Sequence, residues 1–560
     1  MCGIWGIVSS HDIHHSGCNY YYDCMLIQPR GPERTVIKQA AHYMLGFHRL
    51  AINGLSEDND QPYVYEEADK KYFVLCNGEI YNFDYIKRLL NMADEVTCDT
   101  RVIYPLFKLL NYDMDLLNKT LQGEYAIVII EATLEGVINK VYASVDECSV
   151  RPLFYCYSKS SNQLVFSSLL RGISSYLNDD VVPVRMEGGS MIELNMQTSV
   201  INKHSYVNWY PSTLLNNLSE IQERIVTTLE ACVQRRLKSD RVIGCFLSGG
   251  LDSSLIAALL AKELHKVGKQ LQTFSIGAED SQDVIHALMV AKHINSKHTH
   301  VQFDSEKGLA HLDDVIKATE TFDITTIRAS IGQYLISKYI SEHTDIKVVF
   351  SGDGADEAEM GYLYFMKAPT AADAQRESLK LLQEIHLYDG LRVDRCVSVH
   401  GLEARVPYLD WEFVELMLSI SPELKIPIAG QRCEKWLIRS ACNQFRPNLL
   451  PNKVLWRTKE TFSDSLSTSK TSWYNHLQTY MQQHGPVSSV MRMLLNEEHC
   501  PPHTTESAYY RQRFNARFGS HAATVIPHIW MPMWSKTTDP SARTLEVYEQ
   551  AQSDKSLTHN

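Results

Sequence analysis

The sequence predicts two folded regions in series: a β-rich α+β region, then an α/β region with a doubly wound parallel sheet and a helical extension. Three observations predict it. The first 205 or so residues carry short apolar or β-branched runs separated by turn residues. From about residue 220 such runs alternate with helical stretches, the pattern of a parallel sheet. After the last of these strands the texture is mainly helical to about 535. A chain of 560 residues has ample length for more than one core.

In the first region 72–76, 125–130, 140–145, 163–167 and 190–194 read as strands, and 83–92 and 100–110 as helices. In the second, strand 241–247 precedes a helix from 253 to about 267. Strand 271–276 precedes helix 283–294, and 299–303 is a third strand. The helical stretch 332–343 leads into a fourth strand, 346–350. The expected divisions are a first domain at 2–205, a linker at 206–220 containing Pro211, a second domain at 221–540 and a polar tail at 541–560.

Apolar residues make up 44% and charged residues 21%, an ordinary globular composition. A net charge of -12 and the lack of a long Lys/Arg run argue against nucleic acid as a partner, while an anionic small molecule needs only a few local cations. The purest apolar run, 255–261, falls far short of the roughly 18–20 residues that cross a bilayer. The first residues have no basic leader, so neither membrane insertion nor secretion is expected. Thirteen cysteines without CxxC spacing read as reduced thiols in the cytoplasm. His293, His298 and His300 lie near one another without paired Cys or an HExxH pattern, so no metal site is expected there.

Two constellations carry chemistry. Cys2 follows Met1, and loss of that methionine would leave a thiol with a free α-amine on its own residue, a base titrating near pH 8. Arg49 offers a planar fork for a substrate carboxylate, and Asp99 a partner for an ammonium. Asn77 and Gly78, after an apolar strand, supply an amide and a backbone N–H of the kind that hold an oxyanion. The second constellation is Ser248-Gly249-Gly250-Leu251-Asp252-Ser253-Ser254, which joins a strand to a helix. Paired glycines, hydroxyls and helix N-terminal N–H groups suit pyrophosphate, although the string is neither a Walker A loop nor GxGxxG. Ser351-Gly352-Asp353-Gly354-Ala355-Asp356-Glu357 follows another strand and should open onto the same crevice. Acidic groups facing bound phosphates imply Mg²⁺ bridged to phosphate oxygens, with Asp252 and Asp356 as the protein's contribution.

The first constellation resembles the class II glutamine amidotransferases of the N-terminal-nucleophile fold. The matching stretches are Cys2-Gly3-Ile4, Arg30-Gly31-Pro32, His48-Arg49-Leu50, Asn77-Gly78-Glu79-Ile80-Tyr81-Asn82 and Arg151-Pro152-Leu153. The resemblance implies that Cys2 attacks the glutamine amide to give a thioester and ammonia. Asn77 and Gly78 then hold the oxyanion, while Arg49, Leu50, Glu79 and Asp99 bind glutamine. The second resembles the loop of the ATP pyrophosphatases, which implies ATP bound by Leu247 through Ser254, Ile276, Ser351 and Gly352. With TFDITTIRAS (321–330), GYLYF (361–365), LEARVPYLD (402–410), Glu434-Lys435 and the late WMPMW, the chain is similar to the glutamine-hydrolysing asparagine synthetases over about 1–545. That family adenylates aspartate and displaces AMP with ammonia delivered between its domains. By carry-over Lys435 and Asp353 are catalytic, and Thr325 and Arg328 lie in a stretch associated with the synthetase pocket. A homodimer is left open.

Four departures from the family pattern stand out. Pro29 replaces the His of HRGPD, and Arg101 stands where Glu is common. The segment around Cys148 lacks an Arg and a turn Gly of RDxxGxRPL, and Asp353 is one methylene shorter than the family's Glu. They keep two other readings in view: a mainly ammonia-driven synthetase with a weakened glutaminase, and a catalytically idle paralogue that binds glutamine or nucleotide.

Overall fold

A computed structural model of the chain describes residues 1–13, 19–457, 466, 472–535 and 539–540. The polar tail expected at 541–560 lies outside the described residues.

The first region is built on twelve strands. They are β1 (Gly3–Ser9), β2 (Arg34–Ala40), β3 (Tyr43–Arg49), β4 (Tyr63–Glu66), β5 (Lys70–Ile80), β6 (Gly123–Thr133), β7 (Ile138–Val145), β8 (Phe154–Ser158), β9 (Gln163–Ser167), β10 (Val184–Arg185), β11 (Ser190–Asn195) and β12 (Val200–Ser205). One antiparallel sheet runs β10-β8-β9-β1-β3-β2 and the other β12-β11-β7-β6-β5-β4. The alternation of a strand decides which layer each residue enters. Ile4 and Val8 of β1 meet Phe73, Leu75, Val128 and Val141 between the sheets. Tyr72, Val74 and Cys76 face the other way, onto helices Phe83–Leu89 and Ile103–Leu109. Trp5 and Ile7 instead face Cys24 and Ile27 in a core continuous with the second region.

Of these strands the sequence pattern does not predict β1 to β4, β8, β10 and β12. Alternation in GIWGIVS was the available signal, but burial on both faces makes the run apolar throughout and blurs it.

The second region opens with helix Leu218–Arg235, which begins inside the segment read as linker. Its sheet comprises β13 (Val242–Phe246), β14 (Gln272–Gly277), β15 (Lys297–Gln302), β16 (Ile346–Phe350) and β17 (Glu403–Arg405). All pairings are parallel, in the order β15-β14-β13-β16-β17. Order therefore reverses at β13, and ligand crevices open at the carboxyl ends of strands beside such a switch. Helices Leu251–Lys266, Gln282–His293 and Ile324–His343 make the crossovers. Among the described residues no helix is long and apolar enough to cross a membrane.

Candidate functional site

The register of β1 on β3 sets Gly3 opposite His48, so Cys2 falls beside Arg49 and Leu50. Its Sγ donates to the Leu50 carbonyl at 3.6 Å. Burial pushes the thiol up to about 11, only partly offset by the chain's terminal ammonium. Met1 is 1% exposed and its amine donates to Leu402 O at 3.4 Å. Burial holds that amine down at about 6. While Met1 is attached, therefore, Cys2 has neither an α-amine nor a thiol that ionises near neutrality.

Asn77 is wholly buried, and both polar atoms of its amide lack a partner. Gly78 has φ +149, and a Cβ there would lie 2.0 Å from Glu124 O, so only glycine fits. Glu79 accepts from Asn53, and Arg405 Nη2 stands 3.5 Å away. Burial first, then Asp99 and Glu403, hold its carboxyl well above the usual range. Asp99 accepts the Ile80 N–H at 2.6 Å and is raised to about 6, chiefly by burial. Arg49 spends its fork on Gly54 O (2.5 Å), Ser56 O (2.6 Å) and Asp60 (2.9 Å), so a substrate carboxylate must displace one of these.

Three of the departures acquire a physical reading. Pro29 sits in the 3-10 turn Gln28–Arg30, where its fixed φ is at home. Arg101 donates to Asn59 (3.3 Å) and the Asp58 carbonyl and lies 4.1 Å above the Tyr63 ring, committed to the 58–63 loop. Ser149 takes the left-handed turn, φ +49, that the family gives to Gly. The loop is wrapped on Asp146, which accepts from the N–H groups of Cys148, Val150, Arg151 and Tyr125.

The second constellation lines a cavity of about 190 Å³ at the carboxyl ends of β13, β14 and β16. Leu247, Ser248, Gly250, Leu251, Asp252, Ser253, Ile276, Ser351, Gly352, Asp353 and Asp356 all reach its wall. Gly249 and Ser254 are not on that wall: Gly249 turns its carbonyl to Arg457 (3.1 Å), and Ser254 is buried with its hydroxyl unpartnered. The helix starting at Leu251 is capped by Gly250 with no side-chain bond, leaving its first-turn N–H groups for an anion. The Ser253 hydroxyl braces the loop against Ser248 N (3.1 Å) and Ser248 Oγ (2.9 Å).

Lys435 is 3% exposed, with Nζ 2.5 Å from Asp252 and 2.6 Å from Asp356. Burial works against its charge, but Asp252, Asp356 and Glu359 outweigh it and hold the ammonium above its ordinary value. Gly361 makes room for the pair, since a Cβ would fall 2.2 Å from Lys435 Cε and 2.3 Å from Asp356 Oδ1. Asp353 accepts from Ser351 and from Arg392 Nη2 (2.5 Å). Sequence reasoning missed Arg392, Arg457, Asp389 and Asp283 on this wall; as single charged residues outside a motif they carry no local signal.

Thr325 and Arg328 are not among the cavity-lining residues. Arg328 instead forks between Glu506 (2.9 and 2.6 Å) and Asp539 (2.9 and 2.9 Å). His298 and His300 bond Ser275 at 3.0 and 3.1 Å, while His293 bonds the Asn448 carbonyl. No group of three or more His, Cys, Asp or Glu suited to a metal occurs among the described residues.

The two centres meet across one strand. β17 pairs with β16, whose end carries the Asp353 loop, and its Arg405 reaches Glu79 beside Cys2. Arg30 donates Nε to the Cys2 carbonyl (2.9 Å) and forks onto Asp394 (2.7 and 3.0 Å) in helix Asp389–Ser398. Fold and site together define a two-centre protein in which an N-terminal cysteine amidotransferase fold is joined to a pyrophosphate-loop nucleotide fold.

Comparison with known proteins agrees. The family profile described as Asparagine synthase matches residues 224–380 and 366–537, and that described as Glutamine amidotransferase domain matches 1–207. The chain belongs to the asparagine synthetase family. It is 38% identical to the Asparagine synthetase [glutamine-hydrolyzing] of Gallus gallus, covering 98% of this chain and 100% of that protein. Its identity to the proteins of the same name from Bos taurus and Homo sapiens is 37%, again over 98% of this chain and 100% of each. A solved glutamine PRPP amidotransferase from B. subtilis is 15% identical with a TM-score of 0.30, covering 54% of this chain and 81% of that one, too slight a likeness to carry an argument.

Proposed function

We propose that the chain makes asparagine from aspartate, taking nitrogen from glutamine and driving the step with ATP cleaved to AMP and pyrophosphate. The observation that carries this is Lys435, set between Asp252 and Asp356 at an uncapped helix N-terminus, one strand away from the Arg405–Glu79 contact beside Cys2.

The glutaminase half begins with loss of Met1, which frees the Cys2 α-amine to take the thiol proton. The thiolate attacks the glutamine side-chain carbonyl, and the oxyanion is held by the unpartnered Asn77 amide and the Gly78 N–H. Collapse expels ammonia as the α-ammonium returns its proton to the leaving nitrogen, and water then cleaves the thioester to release glutamate and restore the thiol. Arg49, Leu50, Glu79 and Asp99 hold the amino-acid end. Met1 fills the space between Arg30, Arg151 and Leu402, so its loss opens volume toward β17, where ammonia would pass.

In the synthetase half the aspartate β-carboxylate attacks the α-phosphorus and pyrophosphate leaves. Lys435 exchanges its carboxylate partners for phosphate oxygens as charge develops. Ammonia then displaces AMP, with Asp353, fixed by Arg392 and Ser351, placed to take a proton. Mg²⁺ fits here: Asp252 Oδ1 is buried without a partner, and two carboxylates suit an ion that draws its other ligands from phosphate and water. It would be held by Asp252 and Asp356 and would supply neutralisation of phosphate charge.

The weakened-glutaminase and idle-paralogue readings are not favoured, because Arg101 is committed to the 58–63 loop and Ser149 supports the turn. Cytoplasmic residence belongs to the same proposal, on the twelve free cysteines among the described residues, as does a homodimer. Fractionation and sedimentation test those two. The decisive experiment supplies amide-labelled glutamine, aspartate and Mg-ATP. Label in the asparagine amide, with AMP and pyrophosphate, is expected; label only in free ammonia would refute the synthetase assignment.

A further inference from the structure

Between the two regions lies a buried patch of positive charge that neither reaction uses. Arg185 on β10, Arg395 on helix Asp389–Ser398 and His386 just ahead of it are 9%, 1% and 7% exposed. Both guanidinia pack against Phe154, Arg185 at 5.0 Å and Arg395 at 5.6 Å from the ring centroid. His386 is a neighbour of Arg185: burial first, and that guanidinium second, hold its imidazole down at about 3.

Among the described residues Arg30, Arg171, Arg185 and Arg395 share two close carboxylates, Asp394 and Glu320. Asp394 is taken by both Nη groups of Arg30 and by Arg395 Nη1 at 2.7 Å. Glu320 accepts Arg171 Nε at 2.7 Å and the N–H groups of Leu170 and Arg171. Arg395 Nε stays 3.8 Å from Glu320, beyond hydrogen-bond reach. Arg185 Nη1, Arg395 Nε and Nη2, and His386 Nδ1 are therefore left buried without a partner. Arg185 forms no ion pair among the described residues. Burial and Arg395 pull it down to about 9, which still leaves it charged at neutral pH.

An unpaired buried charge is among the costliest groups a fold can hold, and neighbouring pairs such as Arg151–Glu124 at 2.7 Å are satisfied. The excess is local and cationic, and the free guanidinium N–H groups of Arg185 and Arg395 are donors. We propose that a small inorganic anion, of the size and charge of a halide, binds between Arg185 and Arg395 and completes the interface between the two regions. Less than a tenth of each side chain meets solvent, which leaves a nucleotide or peptide no surface to dock on.

Crystals of the full chain grown with bromide in place of chloride test the site by anomalous diffraction. A peak within hydrogen-bond distance of Arg185 Nη1 and Arg395 Nη2 is expected. Water alone there, or bromide only on surface groups, would overturn the proposal. In solution, replacing gluconate by bromide at constant ionic strength should raise the first unfolding Tm by about 1–2 °C per tenfold increase above the binding constant. R185L should lose that response, and a response retained in R185L would count against the site. Should R185L fail to fold, the diffraction result decides alone.

Discussion

Around Cys2 the polar groups are shut away from solvent, whereas the cavity at the ends of β13, β14 and β16 is lined with charge that is already compensated. In the first centre burial raises the Cys2 thiol, Glu79 and Asp99, and an amide waits without a partner. In the second, Lys435 is paired with two carboxylates before any nucleotide arrives. The contrast shows two ways of storing reactivity. On the proposed mechanism the glutaminase centre is uncovered and deprotonated by a change in its own chain end, while the synthetase centre exchanges one set of anionic partners for another.

The largest effects should separate the two centres completely. C2A is expected to abolish glutamine-driven synthesis, by on the order of 10³-fold or more, while ammonia-driven synthesis stays within twofold of its starting rate. Equal loss of both would break the two-centre picture. K435M should do the converse, cutting synthesis from either nitrogen source by about 10²–10³-fold while glutamate release continues. Partial exchange of label between pyrophosphate and ATP reads the same loss at the adenylation step.

Smaller changes sharpen the contrast within the buried centre. G78A forces a Cβ against Glu124 O, which would shift the oxyanion donor and lower glutamine turnover by about 10²-fold. Ammonia-driven synthesis provides the control for folding. The raised value of Asp99, about 6, means that it takes up a proton earlier than an ordinary carboxylate as pH falls. The substrate ammonium then loses its counter-charge, so KM for glutamine should rise by about tenfold between pH 7 and 5. D99N should start with the higher KM and lose this limb; an unchanged limb would assign it to another group.

The least effect is expected from R101E. Because Arg101 is turned to Tyr63 and Asn59, KM for glutamine should move less than twofold. Stability should fall by about 1 kcal/mol from the lost cation–π contact, measured by denaturant unfolding. A large KM change would mean that the charge reversal does reach the substrate.

Much of the second region was legible because its signals are local. Strand 346–350 was placed to the residue, and the glycine loops announce a backbone that must approach an anion. Leu247 and Ile276 could be assigned to the crevice because strand carboxyl ends locate it. Strands β1 and β3 were not legible, since a run buried on both faces loses its alternation. Nor was Arg49's engagement by Gly54, Ser56 and Asp60, which depends on a loop folding back.

By itself the chain's order of residues determined the kinds of chemistry available: a thiol one residue from the end, an amide and glycine after a strand, and glycine-rich loops leading into helices. Those properties belong to single residues and their immediate neighbours, so they survive without a fold. Only tertiary structure decided which charges meet. Arg30 finds Asp394, Arg405 finds Glu79 and Arg457 finds Asp283 across 364, 326 and 174 positions of chain. Such pairs are fixed by the packing of two sheets and a shared strand, and no short-range pattern encodes a distance closed by folding.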